Sequence, residues 1–289
     1  MPKFTLTSAN LPLFRVALTA AIRATASQRV SLSAAGCAFY ATLALFPAIT
    51  MLISLYGLVY DPASVQPQLH YLQGFMPPTA FQLISERIQQ LVSAPSKGLG
   101  LGFALSLAIS FWSSSSGTKS ILNALSFAYH ERETRGFLRF YLVAFSMTLV
   151  GIIGTGLAIG FLVAIPIALA HLGVSGQFKV LVNLVSSAAM VVFVLIALGL
   201  LYRFGPAGGR RPLYAPGALV ATSLWLAGSW LFGFYVGHFA AYSITYGPLA
   251  TLIGLMMWFY LSAYVVLFGA ELNAALEHEW TRSKAKTKA

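Results

Sequence analysis

Six long apolar stretches, separated by segments whose basic charge alternates, constrain this chain more than any other feature. They cover residues 34–60, 99–117, 140–170, 180–202, 216–237 and 248–270. Counting the N-terminal segment as the first, the odd-numbered segments between and around them carry fifteen of the 18 lysines and arginines, and the even-numbered ones carry three. Basic loops resist translocation across a bilayer and stay on the cytoplasmic face. The alternation therefore predicts an all-α integral membrane protein of six transmembrane helices, with both termini inside.

Hydrophobic residues make up 58% of the chain and charged residues 9%, against roughly 25% charged in an average soluble domain. Most of the surface must therefore face lipid. A net charge of +11 is also a property of nucleic-acid binders, but here the excess sits in short loops beside the apolar stretches. Anionic lipid headgroups are the expected partners at such positions, and nucleic acid is not. The lone cysteine, Cys37, allows neither an intrachain disulfide nor a thiolate metal cluster. The first 33 residues hold Lys3, Arg15, Arg23 and Arg29 without a compact apolar core, so the first span is expected to serve as an uncleaved anchor.

The chain divides into a cytoplasmic N-terminal segment (1–33), one six-helix membrane domain (34–272) and a basic cytoplasmic tail (273–289). In the first, residues 11–28 place Leu11, Phe14, Leu18 and Ile22 at helical spacing between Arg15 and Arg23. Two readings stand for this helix: it lies in the headgroup interface, or it packs against other cytoplasmic segments. The outer loop, 61–98, is broken by Pro62, Pro67, Pro77, Pro78 and Pro95; within it 79–93 is expected to form a short amphipathic helix across the outer mouth. Pro47 and Pro166 lie inside spans and are candidate kinks. Glycine pairs four apart, Gly98 with Gly102, Gly156 with Gly160 and Gly233 with Gly237, are candidate points of close helix approach, within one bundle or in a homo-oligomer.

No two histidines stand at metal-ligand spacing, and there is no nucleophile elbow, phosphate-cradling loop or cysteine pair. The sequence thus points to no catalytic residue, metal or cofactor. Its polar chemistry lies at the inner ends of the spans. Ser113, Ser114, Ser115 and Ser116 end a second stretch whose apolar part, 99–112, is short for a crossing. Either they line a hydrated cavity with Asn123 behind them, or the span stops at Trp112 and the serines stand in solvent. The segment 129–137 is the densest charge cluster. Its Arg135, four residues before Arg139, is placed to hold a phosphate or carboxylate, to pair locally, or to anchor the next helix. Glu271, with Asn273 two residues on, follows the last apolar stretch. A carboxylate there needs pairing or hydration; a salt bridge with Lys119, Arg135 or Arg203 that closes the bundle is the leading reading, and coupling to substrate or protons is the other.

Several blocks in order carry a resemblance: Ser33-Ala34-Ala35-Gly36-Cys37-Ala38-Phe39-Tyr40, Leu45-Phe46-Pro47, Trp112-Ser113 with Gly117, Leu122-Asn123-Ala124-Leu125 and 129–137. Later come Pro216-Gly217-Ala218, Tyr246-Gly247-Pro248-Leu249 and Gly269-Ala270-Glu271-Leu272-Asn273-Ala274. Over about residues 15 to 280 the chain resembles the YihY/BrkB family of bacterial inner-membrane proteins. The resemblance implies a six-span protein of the inner (cytoplasmic) membrane. It also brings an old label, ribonuclease BN, which the family is now thought not to merit, and links to serum resistance and to envelope lipid traffic. No catalytic residues come with it. The polar run after Trp112 is fuller here than in the family pattern, at Ser115 and Ser116.

The expectation is a transporter or lipid-handling protein, its cargo a lipid or amphipathic anion, with Ser113, Ser114, Ser115, Ser116, Asn123, Arg135, Glu271 and Asn273 along the path. The competing class is a membrane scaffold that binds envelope proteins and moves nothing. A nuclease is the weakest.

Overall fold

The computed structural model describes residues 11–59, 85, 101–171, 176–208, 216–238 and 248–288. Among these the chain forms seven helices and no strand: α1 Leu11–Thr25, α2 Gln28–Val59, α3 Leu101–Ala128, α4 Phe137–His171, α5 Gly176–Phe204, α6 Pro216–His238 and α7 Pro248–Lys288. Three helical stretches, Phe137–Leu157, Pro216–Tyr235 and Leu252–Ser283, are each long and apolar enough to cross a membrane, and Ala188–Phe204 is apolar but shorter. Their outer faces keep large apolar side chains exposed, among them Leu138, Phe137 and Trp230. In water such a surface would be costly, whereas lipid tails solvate it. The chain is an all-helical integral membrane protein. The outer helix expected over 79–93 falls outside the described residues, apart from the helical Ser85.

Small residues build the shared core, which sits at the end of the bundle where the basic segments meet. Ala34 and Cys37 of α2, Ala124 and Ala128 of α3, Ala218 and Ala221 of α6, and Ala270 of α7 join there with Leu125, Leu267 and Tyr202. In lipid, helices associate through such close contacts because lipid tails leave no hydrophobic drive between them. The tightest crossing is between α6 and α7. A Cβ at Gly217 would collide with the Gly269 carbonyl, and one at Gly269 would meet the Tyr202 hydroxyl, the Gly217 carbonyl oxygen at 2.7 Å and Ala221 Cβ at 2.8 Å. Further along, the Trp225 indole donates to Ser262 Oγ at 3.0 Å, and the Trp225 and Trp258 rings meet edge to face. At a second crossing, a Cβ on Gly117 of α3 would stand 3.5 Å from Ala41 Cα of α2.

Of the glycines picked for their four-residue spacing, nothing approaches a Cβ at Gly233 within 4 Å, and Gly98 lies outside the described residues. The effective pair, Gly217 with Gly269, comes from two different helices. Spacing along one helix could not have found it.

α1 packs onto the far end of α7. Ala17 and Ala21 are fully buried against Leu272 and Leu276, with Phe14 and Leu18 flanking them. Ile22, assigned to the apolar face, is instead exposed, as is Val16. Two alanines let the helices approach closely, and a larger residue would hold them apart. Tyr264 of α7 closes the C-terminus of α1 by donating to the Thr25 carbonyl at 2.9 Å. α7 runs on unbroken to Lys288, through the segment read as a basic tail.

Pro47 lies inside α2, whose helix continues to Val59; it removes one backbone donor without ending the helix. Pro166 falls within the range of α4, and its side chain lies outside the described residues.

The α6–α7 crossing leads to a contrast between two glycines. Gly269→Val should cost about 1–3 kcal/mol or more through overpacking, seen as a large fall in melting temperature in detergent or as loss of folded protein from membranes. Gly233→Ala should melt with the parent protein. Equal melting of both variants would show that the crossing is not tight.

Candidate functional site

α3 runs on as helix past Trp112 through the four serines. They are divided around the helix. Ser114 and Ser115 are buried, Ser115 completely, with its hydroxyl donating to the Trp112 carbonyl at 2.6 Å. Ser113 and Ser116 are half-buried. The positions that share a face with Ser116 are Lys119, Ser120, Asn123 and Phe127, spaced three and four residues apart.

That face lines a cavity of about 420 Å³ between α2, α3 and α4. Its polar groups are Ser33 of α2 with Ser116, Lys119, Ser120 and Asn123 of α3; its rings are Tyr40, Phe127, Phe140 and Tyr141. The volume lies within the range of roughly 300–1,000 Å³ usual for small-ligand sites. Lys119 Nζ stands over two rings, 4.9 Å from the Trp112 centroid and 4.8 Å from that of Tyr141. Trp112 and Tyr141 stack on each other, and Phe145 packs on both. The ammonium is therefore held in place by aromatic faces instead of a carboxylate. Ser120 reaches across to Cys37 Sγ at 3.5 Å. Sequence reasoning put Ser116 and Asn123 on the path, gave Lys119 as a candidate partner of Glu271 and did not single out Ser120; the helical stripe from 116 to 127 was the available signal.

Asn273 belongs to the core crossing instead. It is 4% exposed, accepts from the Gly217 N–H at 2.7 Å and donates to the Tyr129 hydroxyl at 3.2 Å. Gly217 is at the start of α6, where backbone N–H groups lack helical acceptors, so Asn273 supplies one of them. Tyr202 of α5 adds a bond from its buried hydroxyl to the Val266 carbonyl of α7 at 2.7 Å.

Arg135 serves the loop between α3 and α4. This loop opens with a helix-ending turn in which His130 takes a positive φ of 56°, its N–H bonds to the Phe127 carbonyl, and the Glu131 N–H bonds to that of Ser126. Two contacts then fasten the loop to the end of α5. Glu131 accepts from the Gly208 N–H at 2.6 Å, and Arg135 donates to the Gly205 carbonyl at 3.0 Å. The same guanidinium holds Glu133 in a two-point pair at 2.7 and 2.6 Å. This pairing keeps the Glu133 carboxyl below its ordinary range. Because Arg135 precedes the first turn of α4, it shares no helix face with the exposed Arg139.

Glu271 is 7% exposed, and its carboxylate has no hydrogen bond or ion pair among the described residues. The expected salt bridge is absent because each proposed partner is turned elsewhere: Lys119 to Trp112 and Tyr141, Arg135 to Glu133 and Gly205, Arg203 to the Phe204 ring. His130 is the electrostatic neighbour that remains. The structure thus separates the expected path residues. Ser116 and Asn123 meet in the cavity, Ser114 and Ser115 pack, Asn273 and Glu271 lie at the core crossing, and Arg135 clamps a loop.

The family model for the virulence factor BrkB matches residues 21–289. The chain belongs to the BrkB family. Among its curated relatives, YfkH of Bacillus subtilis, whose name carries the label ribonuclease-like, is 30% identical over 83% of this chain and 87% of its own. A UPF0761 membrane protein of Idiomarina loihiensis is 30% identical over 69% of each chain. Another, from Alteromonas mediterranea, is 26% identical over 89% of this chain and 86% of its own. No solved structure matches. These BrkB relatives agree with the helical membrane architecture.

Removing the Asn273 amide should leave the buried Gly217 N–H without an acceptor, which costs about 1–3 kcal/mol. Asn273→Leu is expected to melt well below the parent. Ser223→Ala, which deletes only an exposed hydroxyl bonded to the Leu219 carbonyl, should not. Thermal melts of both variants in the same detergent give the comparison.

Proposed function

We propose that this BrkB-family protein is a multi-pass protein of the bacterial inner membrane, with six spans and both termini in the cytoplasm. In this reading it moves or handles a lipid or amphipathic anion through the cavity between α2, α3 and α4. The observation that carries it is the composition of that cavity: hydroxyls, an amide and one ammonium inside, aromatic rings at its edge. The surrounding helix faces expose large apolar side chains. A site with a polar interior and a lipid-facing margin suits a molecule with one polar and one apolar part. The charge alternation along the sequence supports a cytoplasmic position for this cavity.

Of the residues first assigned to the path, Ser116 and Asn123 stay in this proposal, joined by Lys119, Ser33 and Ser120. The roles of Arg135 and Asn273 in holding the fold together argue for positioning.

Reconstitution into vesicles tests the reading. The protein should speed transbilayer movement of a labelled anionic phospholipid over protein-free vesicles. Ser116→Val with Asn123→Leu should slow it about tenfold or more through lost hydrogen bonds, with protein abundance unchanged. No movement in the parent would favour a scaffold, and full movement in the double variant would put the path outside this cavity.

A further inference from the structure

We infer that the cavity between α2, α3 and α4 binds the phosphate headgroup of an anionic membrane lipid, with Lys119 as the cation that recognises it. The inference rests on the reading of this cavity as the place where an amphipathic anion is handled, and adds the headgroup chemistry and its determinant.

The first argument is charge. Lys119 is the single formally charged residue in the lining, which holds no aspartate or glutamate. Among the described residues Lys119 makes no ion pair or hydrogen bond; its contacts are with the Trp112 and Tyr141 rings. Ring faces localise an ammonium without supplying a counter-charge, which leaves that place to a ligand.

The second argument is donors. The hydroxyls of Ser33 and Ser116 and the amide of Asn123 likewise have no hydrogen-bond partner among the described residues. They converge with Lys119 from two helices on one space. Unpaired donors around a cation match a group that offers several acceptor oxygens and negative charge, which a phosphate does.

The third argument separates a lipid from a free phosphate ester. Tyr40 and Phe127 line the cavity and are also 44% and 72% exposed. Past them the surface continues into exposed Phe39, Phe137 and Leu138. A soluble phosphate has no use for such a margin, whereas acyl chains would lie along it.

The test uses the full chain in nanodiscs of mixed phosphatidylglycerol and phosphatidylcholine, with retained lipid counted by native mass spectrometry. The parent should retain phosphatidylglycerol preferentially. Lys119→Gln should lower that preference about tenfold, the scale of one charge-assisted hydrogen bond, and Lys119→Arg should restore much of it. An unchanged preference in a folded Lys119→Gln protein overturns the inference. If that variant does not fold, Asn123→Ala takes its place, and an unchanged preference there overturns it equally. Displacement of the lipid by glycerol 3-phosphate alone would assign the site to a soluble phosphate and overturn the lipid source. Selection through Lys119 by a protein that moves no lipid would sustain this inference and sink the transport reading. Movement of lipid with no dependence on Lys119 would do the reverse.

Discussion

The close approach of α6 and α7 at Gly217 and Gly269 is the contact on which the arrangement of the basic end depends. Two backbones meet there with no room for a Cβ, and this proximity lets Asn273 accept from the Gly217 N–H. The other bond of Asn273, to Tyr129, ties in the end of α3, and Tyr202 ties in α5. In a bilayer, where hydrophobic burial between helices contributes little, glycine contacts and a few satisfied buried polar groups carry this task. Four helices are thereby fixed relative to one another at one level.

From that level the fold divides polar residues between structure and surface. α3 turns Leu122, Leu125, Ala124 and Ala128 towards buried surroundings. Ser116, Lys119, Ser120 and Asn123 lie along the face that lines the cavity shared with α2 and α4. The rings of α4 complete it, and Lys119 rests on one of them. On the opposite flank the loop after α3 is clamped to the end of α5 by Glu131 and Arg135. Arg135 also reaches the cavity wall, its guanidinium 5.6 Å from the centroid of the Phe140 ring.

The helical membrane class was legible because lipid imposes long apolar segments and charge bias, both of which survive in one dimension. The continuation of α3 past Trp112 was not decided by the sequence, because a serine run is compatible with either outcome until its neighbours are known; Gly117 packing on Ala41 shows what decides it. Ser116 and Asn123 were found for their polarity. Lys119 was read as a partner for Glu271, since opposite charges are the simplest pairing rule, and one of the two aromatic faces that hold it, Tyr141, comes from a different helix. Asn273 and Arg135 were read as path residues because a polar group near membrane depth suggests function. Their backbone acceptors and donors become visible only once α5 and α6 are placed.

The central claim is that water reaches the Ser116–Asn123 face of α3 and not the face behind it. The most direct measurement is thiol labelling in cell membranes, in a Cys37→Ser background, with single cysteines replacing Ser115, Ser116 and Asn123 in turn. Ser115 is fully buried, while Ser116 and Asn123 line the cavity. A water-soluble reagent should label the cysteines at 116 and 123 and spare the one at 115. If 116 and 123 stay unlabelled while a cysteine at the exposed Arg132 reacts, the cavity is closed to water and the account of α3 is wrong.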